Sequence, residues 1–344
     1  MLSRRSFLQS ALHSAVCLSL PRLAACWRDA AAPRESLDAE RARRRIPGAA
    51  IAFVARGAPD ELHALGDLGV DAAVEVASLS KPVFAFAVIA QAVRGALDLD
   101  APLAAIAPPP YRHVYRDGED AFSDPRLAQV TPRLLLSHRA GLPNWSRDRP
   151  LGFVQPPGAG WRYSGEGYVL LQRALEARGA SLDELVGAAV LSPLGMARSS
   201  FDPGVPRARG HDRAGRPVAS SLARPTAATS LVSTARDYAR FLRRLVEAPP
   251  RDPVVDAMTA PQVVIDAGRR LSWGTGLALA EPEWLFHWGA NPGFRALFVG
   301  SRARGQGVVV VTDSDGGMEL AARVVRERFG ELALLGFPLL YPPD

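Results

Sequence analysis

The chain has 344 residues, 48% hydrophobic and 22% charged, a composition that fits a globular protein and excludes a disordered one. Its formal charge of +6 is not gathered into a basic stripe interleaved with aromatics. Arginines such as Arg43, Arg44 and Arg45 read as a solvated surface, and nucleic-acid binding has no support. No run of about 18 uncharged apolar residues is present, so no membrane-spanning helix is expected.

The first 26 residues read as an address. "SRRSFLQ" (3–9) places Arg4 and Arg5 before an apolar stretch, 7–20, that is too short to span a bilayer; this resembles a twin-arginine export signal and implies passage through the Tat machinery to the periplasm. "LAAC" (23–26) resembles a lipobox in which Cys26 becomes lipidated and anchors the mature chain. Cleavage near Ala25 or within 30–32, giving a soluble periplasmic protein, is the alternative. Both cysteines, Cys17 and Cys26, fall in this segment, which excludes an internal disulfide and zinc–thiolate chemistry in the mature chain. The segment carries three arginines and no acid, so its removal lowers the formal charge to +3.

Beyond it, "RIPGAAIAFVARG" (45–57) predicts a turn and a strand, with "ELHALGDLGV" (61–70) as its hairpin partner. The segment 82–93 is apolar nearly all round, which at helix length predicts a helix buried on every side, ended by Gly95. From about 97 to 224 the chain is rich in Pro and Gly and its clear regular elements look helical. They include "GEGYVLLQRALEARGA" (165–180), stopped by Gly179, and "SLDE" (181–184), spaced as a capping box. "STARDYARFLRRLVE" (233–247) predicts an amphipathic helix capped by Ser233 or Thr234. "EWLFHWG", "FRALFVGS" and "GVVVVTDS" predict strands, and 318–329 a closing helix. The expected fold is α+β: an antiparallel sheet flanked by helices, from 27–95 and 225–344, interrupted by a mostly helical subdomain over 96–224.

"EVASLSKPVF" (75–84) holds the chemistry. Lys and Arg together number 41, yet Lys81 is the only lysine. It lies three residues after Ser78, a spacing that puts hydroxyl and amine on one helix face. Pro82 in a first turn costs little, and the helix start offers partial positive charge. A serine hydroxyl needs a base before it attacks. Arginine has no neutral form in a protein, whereas a buried lysine amine can lose its charge and accept the proton.

"SLSK" resembles the Ser-x-x-Lys motif of serine β-lactamases and penicillin-binding proteins. The chain as a whole resembles the class C β-lactamase-like superfamily, which includes D-amino-acid peptidases and carboxylesterases. The likeness runs in order through "TPRLLLSHRAGLP" (131–143), "WRYSGEGY" (161–168), "LSPLGM" (191–196), "LVSTARDYARF" (231–241) and "HWGANPGF" (287–294), and spans about 45–330. It implies Ser78 as nucleophile, Lys81 with Tyr163 as its base, and Tyr163 as proton shuttle. It also implies that His287 lines the site and lowers the pKa of Lys81 and Tyr163 when charged. The backbone N–H groups of Ser78 and Ala290 become the oxyanion hole, and Gly289 lets its strand approach the substrate.

Two positions depart from the family pattern. Gly165 stands where the Tyr-x-Asn motif has an asparagine whose amide binds the substrate's acyl-side amide, and Glu166 beside it reads as a compensating group or a helix-start charge. Trp288 replaces a threonine hydroxyl with an apolar wall. Both changes favour ester substrates. A D-alanyl-D-alanine peptidase or β-lactamase is the alternative, and a non-catalytic cell-wall or β-lactam sensor is the alternative of another class. The expected partner is a small ester, amide or cell-wall peptide. Neither a metal nor a cofactor is implied, since no H-E-x-x-H spacing or phosphate loop occurs. His138 and His211 match no catalytic position and read as structural or turn-associated.

Overall fold

The run "VVVV" at 308–311 shows how the molecule is built. Side chains alternate across a strand. Val309 and Val311 enter one buried cluster with Phe298 and Leu242, while Val308 and Val310 enter another with Leu297 and Val325. A strand covered on both faces needs no polar alternation.

The computed structural model describes residues 31–341; the Arg4–Arg5 leader and Cys26 lie outside the described residues. The strands are β1 (Gly48–Ala55), β2 (Glu61–Gly66), β3 (Val74–Glu75), β4 (Tyr111–Tyr115), β5 (Gly118–Phe122), β6 (Gly210–His211) and β7 (Pro217–Val218). They continue as β8 (Val232–Ser233), β9 (Val263–Asp266), β10 (Leu271–Trp273), β11 (Ala278–Ala280), β12 (Trp284–Asn291), β13 (Phe294–Ser301) and β14 (Gln306–Thr312). Eight of them form one antiparallel sheet in the order β2-β1-β14-β13-β12-β11-β10-β9. The β1–β14 pairing closes the chain's beginning onto its end, with Ala50 opposite Val311.

The α-helices are α1 (Ala31–Arg43), α2 (Ser80–Val93), α3 (Pro132–Leu136), α4 (Gly165–Glu176), α5 (Leu182–Val186), α6 (Ala235–Val246), α7 (Pro253–Thr259) and α8 (Gly317–Phe329). Helices α1 and α8 lie over one face of the sheet; α6 covers the other, where α2 and α7 pack together in the larger cluster. Every residue of α2 from Ser80 to Ala90 is buried, as the all-round apolar pattern predicts. Thr234 caps α6 by accepting from the Asp237 N–H, and Ser181 and Glu184 form the expected capping box.

The α+β architecture agrees with the sequence reading. The middle segment differs in detail from a mostly helical insertion. It holds α3, α4 and α5, but also the two-stranded hairpins β4–β5 and β6–β7. The short strands β9, β10 and β11 extend the sheet beyond the five strands that the sequence makes visible. No described helix is long and apolar enough to cross a membrane.

Candidate active site

Ser78 sits in a one-turn 3-10 segment, Ala77–Leu79, that runs directly into α2. Ala77 carries a positive φ of 50°, a sharp bend for a residue with a Cβ, immediately before the nucleophile candidate. Several bonds hold this bend. Ser80 donates its hydroxyl to Ala77 O (2.5 Å) and accepts from the Leu231 N–H (2.9 Å). Tyr238 donates to Leu79 O (2.9 Å), and β3, just upstream, pairs with β8. Strand β12 closes from the other side: a Cβ on Gly289 would lie 2.1 Å from Val76 O, so only glycine permits this approach.

Lys81, in the first turn of α2, is fully buried. Its Nζ hydrogen-bonds Ser78 Oγ at 3.0 Å and donates to Ala228 O at 2.8 Å. It also lies 4.9 Å from the ring centre of Tyr163 and 5.6 Å from that of Tyr168. No carboxylate bonds to the amine among the described residues, and desolvation pulls its pKa down from 10.5 to about 7. Near neutral pH a large share of the amine is therefore uncharged.

Tyr163 precedes α4, which Ser164 caps by accepting from the Gly167 N–H (2.9 Å). Burial raises the phenol's pKa, against a smaller pull from the nearby Ser78 hydroxyl, so it stays protonated. Its oxygen is buried and makes no hydrogen bond of ordinary geometry. As a neutral phenol Tyr163 can give a proton, and beside it the Lys81 amine can take one.

His287 is brought to the same place, 6.3 Å from the Tyr163 ring centre to centre, but it is not charged. Burial, and then the neighbouring Lys81, pull its pKa down to about 3, and its Nδ1–H donates to Trp288 O at 2.8 Å. It therefore acts on Lys81 as a neutral dipole rather than as a cation. Trp288 is buried and stacks on Tyr163 (5.5 Å, 28°), so it serves as a shelf behind the phenol as much as a wall of the cleft.

The cleft, about 760 Å³, is lined by Ser78, Tyr163, Trp288 and Ala290. Gly165 has a local cause that the sequence did not reveal. A Cβ there would lie 2.7 Å from the Trp145 ring and 3.0 Å from Asn144 O. Its N–H donates to both Asn144 O and Asn144 Oδ1 at 3.0 Å, leaving the Asn144 amide NH2 without a partner among the described residues. Glu166 is not a free helix-start charge: it is buried, its Oε1 accepts from the Ser146 N–H at 2.8 Å, and it lies 3.6 Å from His113 Nε2.

Sequence reasoning missed three supports. Glu75, fully buried, accepts from Asn291 Nδ2 (2.7 Å), Arg207 Nε (3.0 Å) and Ser220 (2.5 Å), and so ties the segment before Ser78 to the residue after Ala290. Asn144 and Trp145 fill the space beside Gly165. His138 is structural, as expected, but its task is specific. Its O and Nδ1 accept from the Arg162 and Ser164 N–H groups (2.8 and 3.1 Å), bracketing Tyr163, and its ring lies 4.4 Å from the phenol ring. His211 lies in β6 with Nδ1 3.0 Å from Asp313 O, away from the cleft lining. No group of three or more His, Cys, Asp or Glu suited to a metal ion occurs among the described residues.

A family model described as Beta-lactamase matches residues 34–330, and the chain belongs to that family of serine hydrolases. Among curated proteins it is 28% identical over 271 residues to Esterase EstB of Burkholderia gladioli, covering 63% of this chain and 66% of that one, just under two thirds of its length. A D-stereospecific amidohydrolase from Streptomyces sp. superposes with a TM-score of 0.71 at 20% identity over 88% of this chain and 99% of its own. A penicillin-binding protein homologue from Pyrococcus abyssi gives 0.71 at 22% over 90% and 80%. At these identities the structural matches establish the shared fold.

The Gly165 packing makes a testable prediction. Gly165→Ala destabilises the protein by ~1–3 kcal/mol through overpacking against Trp145. Combined with Trp145→Ala it costs less than the sum of the two single changes, as read by urea unfolding. Additivity would show that the ring does not impose the glycine.

Proposed function

We propose that the protein is a serine esterase working through an acyl-enzyme on Ser78. The observation that carries this reading is the Lys81 amine, its pKa lowered by burial to about 7 and its nitrogen 3.0 Å from Ser78 Oγ. With the amine neutral, its lone pair accepts the hydroxyl proton as Oγ attacks the ester carbonyl. The oxyanion then takes hydrogen bonds from the backbone N–H groups of Ser78 and Ala290, a contribution of about 3 kcal/mol. Tyr163, held protonated, supplies the proton that the leaving oxygen needs. Water cleaves the acyl-enzyme by the reverse route: the Tyr163 phenolate takes the proton of the attacking water, and the Lys81 ammonium returns its proton to Ser78 Oγ as the acyl group leaves.

Ester preference is supported by Gly165 in place of an amide-bearing side chain, by Trp288 in place of a hydroxyl, and by the likeness to Esterase EstB. Hydrolysis of a D-amino-acid amide is the second reading. What favours it is Asn144, whose unpartnered amide lines the cleft beside Gly165 and can stand in for the missing donor.

We also propose that residues 1–26 export the chain to the periplasm, on the strength of Arg4 and Arg5 ahead of the apolar stretch 7–20, where it is either soluble or held by a lipid on Cys26 of the lipobox-like "LAAC" (23–26). Arg4→Lys with Arg5→Lys retains the protein in the cytosolic fraction; unchanged export would contradict this.

For the chemistry, p-nitrophenyl butyrate turnover rises with pH through about 7 as Lys81 loses its proton. Ser78→Ala lowers kcat by at least about 10³-fold and abolishes fluorophosphonate labelling. Penicillin labelling without ester turnover would instead support a sensor or peptidase. Labelling unchanged in Ser78→Ala overturns the mechanism.

A further inference from the structure

One face of α4 forms a long wall of the cleft. Glu166, Val169, Arg173 and Glu176, spaced i, i+3, i+7 and i+10, all line it. The two carboxylates on this face are already engaged. Glu166 accepts from the Ser146 N–H (2.8 Å), and Glu176 accepts from Gln172 Nε2 (3.0 Å) and from the Leu182 N–H (3.2 Å). On the neighbouring hairpin, Arg112 is held by Glu119 through two bonds of 2.8 and 2.5 Å.

Arg173 is the exception. It is half-buried in the cleft wall and has no carboxylate or hydrogen-bond partner among the described residues. Arg224, exposed on the loop between β7 and β8, lines the same cleft and likewise has no such partner among them. Burial and then the charge of Arg224 lower the Arg173 pKa, while the charges of Glu176 and Glu166, both already engaged in the bonds above, act in the opposite direction. Two guanidiniums that share a concave wall, neither with a carboxylate in ion-pair contact among the described residues, form a receptor for an anion. Guanidinium is suited to a carboxylate, which it can grip through two parallel hydrogen bonds.

We propose that Arg173 and Arg224 form a carboxylate-binding subsite at the outer end of the cleft, and that the preferred substrates are esters whose acyl chain ends in a carboxylate. This rests on the esterase reading above and specifies its substrate class. The required length follows from the helix. Arg173 lies eight residues beyond Gly165, which at 1.5 Å per residue is roughly 12 Å along the axis from the end of α4 next to Tyr163. The acyl chain is therefore extended, with its scissile carbonyl at Ser78 and its carboxylate at the two arginines.

The test compares p-nitrophenyl esters of a series of α,ω-dicarboxylic acids with the same compounds capped as ω-methyl esters. In the wild type kcat/KM favours the carboxylate form by about tenfold at one chain length, mainly through KM, and added salt weakens the preference. Arg173→Gln and Arg224→Gln each lower that ratio by several-fold, while Arg173→Lys keeps most of it. Equal kcat/KM for the two forms, or a ratio unmoved by Arg173→Gln, overturns the subsite while leaving the esterase reading intact. If neither ester is turned over, the esterase reading fails. The subsite is then decided by quenching of tryptophan fluorescence with the free dicarboxylate, since Trp145 and Trp288 line the cleft. Binding weakened about tenfold in Arg173→Gln sustains it, and no difference between variant and wild type overturns it.

Discussion

The contact on which the rest depends is the 3.0 Å hydrogen bond between a fully buried lysine amine and a serine hydroxyl. Burying an amine with no carboxylate to pair it is costly, and the molecule lowers that cost by giving up the proton. In the proposed mechanism the same burial that strains the fold thus makes the base. Arginine cannot take this route, which gives a physical reason for the single lysine in a chain otherwise supplied with arginine.

Much of the architecture serves to hold that pair in place. Helix α2 is buried along its first eleven residues, so it cannot shift without disturbing the core. Gly289 lets β12 press against the bend before Ser78, and Glu75 links that bend to Asn291, which follows Ala290. On the opposite side, His138 brackets Tyr163 through the flanking N–H groups while Trp288 stacks on its ring. In the proposed mechanism the resulting division of the resting site is one of proton roles. Lys81 is able to accept, Tyr163 is held as a donor, and His287 remains a neutral dipole whose proton faces the Trp288 carbonyl.

The parts that local pattern controls were legible in the sequence. The valine run of β14, the all-round apolar α2, the Thr234 cap and the Ser181–Glu184 box each depend on residues close together in the chain. Ser78 and Lys81 were visible because a lone lysine three residues after a serine is informative in this composition. What stayed hidden depends on distant neighbours. The neutral state of His287 follows from burial that no local pattern records. The reason for Gly165 is an indole twenty positions earlier, and the Glu75–Asn291 bond joins residues more than two hundred apart. Strands β10 and β11, three residues each, are too short for a period-two pattern to stand out.

Because Lys81 is the only lysine, its protonation can be observed directly. Protein grown on lysine labelled with carbon-13 at Cε gives a single lysine resonance, and its shift with pH reports the ionisation of that one amine. The account predicts a midpoint near 7, and a midpoint near the ordinary 10.5 would contradict it, because Lys81 would then be a cation at neutral pH and unable to take the Ser78 proton.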